Sequence, residues 1–275
     1  AGLGEIVLSH TVKVFGWRHS IMSFTIIGVV LAILFWLFLG AKPKTSVKKS
    51  KKQILTLSWS DAFIQLLEII KSRYIWWAGI ISFLMFLPTT VFAALWGIPY
   101  LEKMHHYTPE KAAVASGLIF IGWAIGSPIQ GWLSDLMHRR LRLIWLNSLA
   151  SCILALCVLY IISLPYWLVC LLFVLMGITS SAQMLTFTMA RDVFGVRVIG
   201  MAVAFVNTLA MLGGMIFQSG FGLLLDVFWQ GGYDKIGNKV YELIAYEKAV
   251  LVVPICFLLS SIIAFFVRDI AKFKN

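Results

Sequence analysis

The sequence predicts an all-α integral membrane protein, and three observations lead there. Apolar residues make up 60% of the chain and charged residues 13%, against roughly 45–50% and about 25% in soluble proteins. A soluble core could not hide that much apolar surface. Seven stretches reach the ~20 mainly apolar residues that a bilayer-spanning helix needs. All 23 Lys and Arg lie in or beside the gaps between those stretches, as expected when a cation at mid-membrane costs about 2.5–3.5 kcal/mol. The net charge of +11 would suggest nucleic acid in a soluble chain. Here it is a topology signal, and no nucleic-acid partner is expected.

In order, Gly2–Val14 carries Glu5, His10 and Lys13 and reads as the outer end of a preceding helix. The chain opens with Ala1 rather than Met, so the expectation is of a protein whose beginning is missing. The spans follow at about Ser20–Leu39, Tyr74–Trp96, Ala112–Leu133, Leu143–Ile162, Trp167–Ala190, Val198–Leu225 and Ala249–Val267. Between the first two, Lys42–Lys52 holds six Lys in eleven residues and reads as a basic tether. After it, Trp59, Phe63, Leu66, Leu67 and Ile70 recur at helical spacing over Trp59–Lys71, with Ser58 or Ser60 as a cap. That is an amphipathic helix lying on the membrane surface; an ordinary connecting loop is the plainer alternative. The expected divisions are residues 1–40, the linker 41–73 and a six-helix domain 74–275.

Counting cations in alternate gaps gives orientation. Sixteen of the 23 fall on one side, in Lys42–Arg73, Arg139–Arg142, Arg191, Arg197 and the C-terminal Arg268, Lys272 and Lys274. The positive-inside rule puts that side, with the C-terminus, in the cytoplasm. The four cysteines (Cys152, Cys157, Cys170, Cys256) lie in apolar runs without CxxC spacing and read as small buried apolar residues rather than disulfides or metal ligands.

One turn combines specific spacing with specific chemistry: Gly131-Trp132-Leu133-Ser134-Asp135-Leu136-Met137-His138-Arg139-Arg140. Its opening is echoed at Gly222-Leu-Leu-Leu-Asp226, and each Asp has a Gly thirteen residues earlier, Gly122 and Gly213. The copies end the third and sixth spans on opposite sides. Three-helix units of inverted topology are a recurrent transporter construction, although short Gly-containing matches also arise by chance in apolar sequence.

These residues resemble the loop signature of the major facilitator superfamily, a family of secondary transporters, which runs roughly Gly-x-Leu-x-Asp-Arg-x-Gly-Arg-Arg. Gly131, Leu133, Asp135, Arg139 and Arg140 match, whereas Leu136 and His138 depart from it. If this is the copy after helix eight, Phe15-Gly16-Trp17-Arg18 falls where the family often has Gly-Trp-Arg before helix six. The resemblance then implies helices six to twelve of a twelve-helix bundle built from three-helix inverted repeats, with the N-terminal half absent. It also implies a cytoplasmic gate of Asp135, Arg139, Arg140 and Gly131, the carboxylate pairing with a cation or with the N-terminal end of a neighbouring helix. The plainer reading makes Asp135 a turn residue and the arginines topology determinants. Leu136 removes one expected partner. Thr179–Gln183 through Arg191, and Asn207 through Gln218 to Asp226, resemble helices ten and eleven of drug- or nutrient-type carriers of Gram-negative bacteria. The location so implied is the bacterial inner membrane.

Polar groups at mid-depth need partners. Thr179, Gln183 and Thr186 lie on one stripe by the i, i+4, i+7 rule, and Asn207 and Gln218, eleven residues apart, share a face. By family analogy Gln183 and Asn207 are the leading substrate contacts, with Thr179, Thr186 and Gln218 beside them and Trp123 and Trp96 as aromatic walls. Bonding between helices is the alternative for all of them. Pro88 frees a carbonyl and should bend its helix as a hinge; Gly213, Gly214, Gly220 and Gly222 should permit close helix approach. The resemblance implies carriage of a small organic solute by alternating access, with or without a symported proton. No convincing coupling residue lies within a span, so it would belong to the missing half. Two other classes fit less well. A seven-helix receptor would share the topology but lacks Asp-Arg-Tyr and Asn-Pro-x-x-Tyr, and a membrane enzyme would need a nucleophile–base set or paired ligands that are not present. No metal, cofactor or catalytic residue is expected.

Overall fold

The computed structural model describes residues 2–39, 59–161, 163–194, 198–233, 237 and 239–267. Among them seven helices are long and apolar enough to cross a membrane, one for each stretch the sequence predicts, most of them longer than expected. The tether Lys42–Lys52 and the cations Arg197, Lys235, Arg268, Lys272 and Lys274 lie outside the described residues. The chain divides into two compact units, Ala1–Ala62 and Phe63–Asn275.

In the first unit, α1 (Gly2–Leu39) is interrupted at Gly16, whose φ of 76° and ψ of 158° suit glycine, which has no Cβ to clash. The Arg18 guanidinium lies 5.1 Å from the centre of the Trp17 ring, and Ser20 donates to the Gly16 carbonyl at 2.9 Å. The break thus falls inside the Phe-Gly-Trp-Arg run, between the two helices expected there.

Helix α2 (Trp59–Lys71) has the bounds its periodicity predicts. Ser60 lies inside its first turn rather than at the cap, and Ser58 is outside the described residues. The expected apolar stripe divides. Ile69 and Gln65, neither assigned to it, are buried, whereas Phe63, Leu67 and Ile70 stay exposed.

Six spans fill the second unit: α3 (Arg73–His105), α4 (Pro109–Met137), α5 (Arg140–Tyr160), α6 (Tyr166–Val193), α7 (Ile199–Val227) and α8 (Leu243–Phe266). In α3 an α-helix to Leu87 gives way to π-helix over Pro88–Trp96 and then to α-helix again. Pro88 has no N–H for the carbonyl four residues back, so the helix changes type where a bend was expected. Helix α4 starts with Pro109 at its first turn, capped by the Thr108 hydroxyl, and stops where His138 turns left-handed at φ 52°. Helix α6 carries a 3-10 turn at Ser181–Met184.

The packing has an exchange symmetry. Among the extensive contacts α3 meets α7 and α4 meets α6; α3 meets α8 and α5 meets α6; α5 meets α8. Swapping α3, α4, α5 for α6, α7, α8 exchanges the members of the first two pairs and returns α5–α8 to itself. That is the arrangement two inverted three-helix units would produce. The two echoed glycines occupy equivalent places in it. A Cβ on Gly122 would strike the Val174 carbonyl and the Gly177 backbone of α6, and a Cβ on Gly213 would meet the Phe83 ring of α3 at 2.8 Å. Gly220 and Gly222 do not serve the close approach expected of them: the first has nothing within 4 Å, and the second has ordinary contact with Trp96 at 3.8 Å.

The core lies in two clusters, one toward each end. Phe92, Tyr100, Phe173, Phe221 and Phe257 centre one; Ile69, Ile75, Met85, Leu141 and Met189 centre the other. Tyrosine hydroxyls tie helix ends together on the Phe92 side: Tyr100 donates to the Leu159 carbonyl, Tyr160 to Glu247 and Tyr166 to Lys111.

Candidate functional site

Helix α4 delivers the signature turn to one end of the bundle. Gly131 is half-buried, with nothing within 4 Å of where its Cβ would stand. Ser134 is buried, and its hydroxyl has no partner among the described residues. Asp135 and Arg139 point to the exterior, and neither side chain forms a hydrogen bond or ion pair among the described residues. The pairing expected of Asp135 is therefore not formed among the described residues.

Arg140 is engaged elsewhere. Its Nε lies 2.5 Å from Oδ2 of Asp192 and its Nη2 3.3 Å from Oδ1. This two-point contact matches the planar fork of guanidinium to the carboxylate and ties the start of α5 to the end of α6. Asp192 was not singled out by sequence. The available signal was a carboxylate ending a span on the same side as the arginines.

One turn deeper, Gln130 and Asn147 exchange hydrogen bonds, Gln130 Nε2 to Asn147 Oδ1 at 2.8 Å and Asn147 Nδ2 to Gln130 Oε1 at 3.1 Å. Gln130 also donates to the Ile178 carbonyl at 3.2 Å. This amide pair joins α4, α5 and α6, and sequence reasoning missed it as well.

The stripe expected of Thr179, Gln183 and Thr186 is broken by the 3-10 turn, in which each residue advances about 120° rather than 100°. Thr179 accepts from Ser151 of α5 at 2.6 Å, whereas Gln183 reaches the other way and donates to Ser82 of α3. Thr186 is buried and donates to the Gln183 carbonyl at 2.7 Å. Gln183 is 2% exposed, and its Oε1 has no partner among the described residues. A buried acceptor in that state is costly.

Trp123 donates to Ser180 at 3.1 Å and leans on Phe86, with ring centres 6.0 Å apart. Trp96 is packed rather than open. Its ring stacks on Phe221 at 5.1 Å, and its indole N–H is buried without a partner among the described residues. Asn207 and Gln218 lie on the unbroken α7, the first exposed and the second half-buried. Asn207 forms no side-chain hydrogen bond among the described residues.

At the opposite end Asp226 accepts from Lys239 and from the Tyr241 hydroxyl, both at 2.8 Å. Hydrogen bonding to the carboxylate raises the pKa of Lys239 and of Tyr241, since each must give up that bond to lose its proton. Lys239 also lies 5.0 Å from the centre of the Trp229 ring.

A family model described as Major Facilitator Superfamily matches residues 1–218. No curated protein matches the chain.

Proposed function

The chain belongs to the major facilitator superfamily, a family of membrane transporters, and on that basis we propose that it carries a small organic solute by alternating access. Its spans then correspond to helices six to twelve of a twelve-helix carrier of a bacterial inner membrane. The N-terminal half of that carrier closes the cavity opposite α3, α4, α6 and α7, and the Asp135 end faces the cytoplasm.

Asn207 carries this reading. Its amide is exposed part-way along an apolar span and has no partner among the described residues. Against hydrocarbon such a group would cost several kcal/mol, so that face of α7 belongs against water and solute. Gln183 on the neighbouring α6, whose buried Oε1 has no partner among the described residues, is the second candidate contact, and Trp123 supplies a wall. Thr179, Thr186 and Trp96 stand behind them as supports, and Gln218 lies further along the Asn207 face. Asp135 and Arg139, exposed and without a partner among the described residues, engage the other half when the cytoplasmic side closes. Arg140, held by Asp192, keeps α5 and α6 in place while that happens, and Gly131 leaves room on α4. Pro88 and the π segment after it give α3 its point of flexure. A symported proton would be handled by a group in the other half.

The test is uptake by the whole carrier in proteoliposomes across amino acids, peptides, organic acids and siderophores, with and without a proton gradient. Asn207→Ala is expected to cut uptake of the transported solute at least ten-fold, roughly the worth of one lost buried hydrogen bond. Uptake left unchanged by Asn207→Ala and Gln183→Ala together would remove both from the cavity.

A further inference from the structure

We propose that the groove between the start of α3 and the end of α8 is a binding site for a single anionic phospholipid. It encloses about 570 Å³ and is lined by Tyr74, Trp77, Ile262, Ile263, Phe266 and Val267, with Arg73 as its cation. None of the candidate solute contacts lines it. The volume is in the range of ligand sites, and the lining is that of an acyl-chain slot with one charged end.

The polar end of the groove lies at headgroup depth, as three features indicate. Residues 63–71 of α2 expose Phe63, Leu67 and Ile70 to one side, the arrangement of a helix resting in the interfacial plane. Tyr74, Trp76 and Trp77 follow within one turn of Arg73, forming the kind of aromatic belt that marks a membrane boundary; Trp76 fixes the join by donating to the Ile70 carbonyl at 2.8 Å. Arg73 is exposed and has no carboxylate partner among the described residues. Lys71 ends α2 two residues before it, so a second cation stands two positions along the chain from the groove's Arg73, at the depth where a lipid phosphate would sit. A zwitterionic lipid offers them a phosphate and then an ammonium of the same sign, whereas an anionic lipid offers only the complementary charge. The exposed rings and side chains of Trp77, Ile262 and Phe266 continue inward as the acyl surface.

The full chain in detergent micelles, titrated with phosphatidylglycerol or phosphatidylcholine of identical acyl chains, tests this by native mass spectrometry. One phosphatidylglycerol should be retained about five-fold more tightly than phosphatidylcholine, the effect of roughly one basic residue near a headgroup. Arg73→Gln should equalise the two lipids. Arg142→Gln, an exposed cation outside the groove, should leave the preference intact. Ile262→Trp, which fills the slot without touching Arg73, should lower retention of both lipids. Equal retention by the unaltered chain would overturn the site, and so would loss of preference in Arg142→Gln, since diffuse surface charge would then explain it. Lipid binding that appears only after removal of residues 268–275 would assign the groove to the chain's own tail instead.

Discussion

Asp135 and Asp226 end corresponding helices of the two three-helix units, each thirteen residues after a glycine at a helix crossing, and their surroundings have diverged. Asp226 is satisfied within its own unit by Lys239 and Tyr241 from the segment that follows its helix. Asp135 has no partner among the described residues, and the arginine five positions on is held by Asp192. The packing half of the echoed pattern is shared, and the charged half is not. A crossing glycine answers to the backbone of the neighbouring helix, which both copies must contact. A terminal carboxylate answers to whichever residues the next loop supplies, and those differ.

The shared half should give the largest effect. Gly122→Ala sets a methyl against the Val174 carbonyl and the Gly177 backbone, neither of which can move without parting α4 from α6. Overpacking of this kind costs about 1–3 kcal/mol or more, and thermal unfolding of the purified chain should register it. At Gly213 the methyl meets the Phe83 ring at 2.8 Å and the Phe83 carbonyl only at 3.2 Å; a ring yields more readily than backbone, so Gly213→Ala should cost less. Equal losses at the two positions would mean that the crossings are equally rigid.

These contrasts mark where sequence was sufficient. Seven spans, the bounds of α2 and the two spaced glycines are local or periodic features, because desolvation of the backbone forces each span to be helical regardless of its neighbours. The Arg140–Asp192 pair joins residues 52 positions apart, and nothing local announces it. The Thr179–Gln183–Thr186 stripe failed for another reason. Periodicity assumes 100° per residue, and the 3-10 turn at Ser181–Met184 breaks that assumption. In α2 an apolar stripe was legible, but an interfacial helix has two apolar neighbours, lipid and protein. Ile69 went to the protein, while Phe63 and Leu67 remained exposed.

The charged half yields a smaller and more selective effect. Arg140 and Asp192 keep side-chain exposures of only 15% and 29%, so Arg140→Gln should destabilise the bundle by about 1–2 kcal/mol, a charge-assisted contact discounted for partial solvation. Asp192→Asn should do much the same, and the double variant should be no worse than either single one. Asp135→Asn should leave the unfolding midpoint unchanged, because no contact among the described residues is lost. In the whole carrier it should nevertheless slow uptake, if closure on the cytoplasmic side recruits that carboxylate. A drop in stability for Asp135→Asn comparable to that for Arg140→Gln would show that the two ends are alike after all.

The smallest effect separates the ends by pH. Hydrogen bonding to Asp226 raises the pKa of Lys239 above that of an ordinary lysine, so the folded chain holds that proton more tightly than the unfolded chain does. The stabilisation is fully present below the ordinary lysine pKa and is lost as pH rises through the higher folded value. Tyr241, raised by the same carboxylate, loses its contribution in the same alkaline direction. Unfolding midpoints recorded from pH 8 upward should therefore fall more steeply in the unaltered chain than in Lys239→Met, which has no such proton to lose. The difference should be small, since both partners are exposed and salt screens them, and it should shrink further at high ionic strength. Asp135→Asn, tested over the same range, should follow the unaltered chain at every pH. If Lys239→Met gave the same slope as the unaltered chain, the Asp226 contact would contribute nothing in solution, and the two carboxylates would differ in geometry but not in energy.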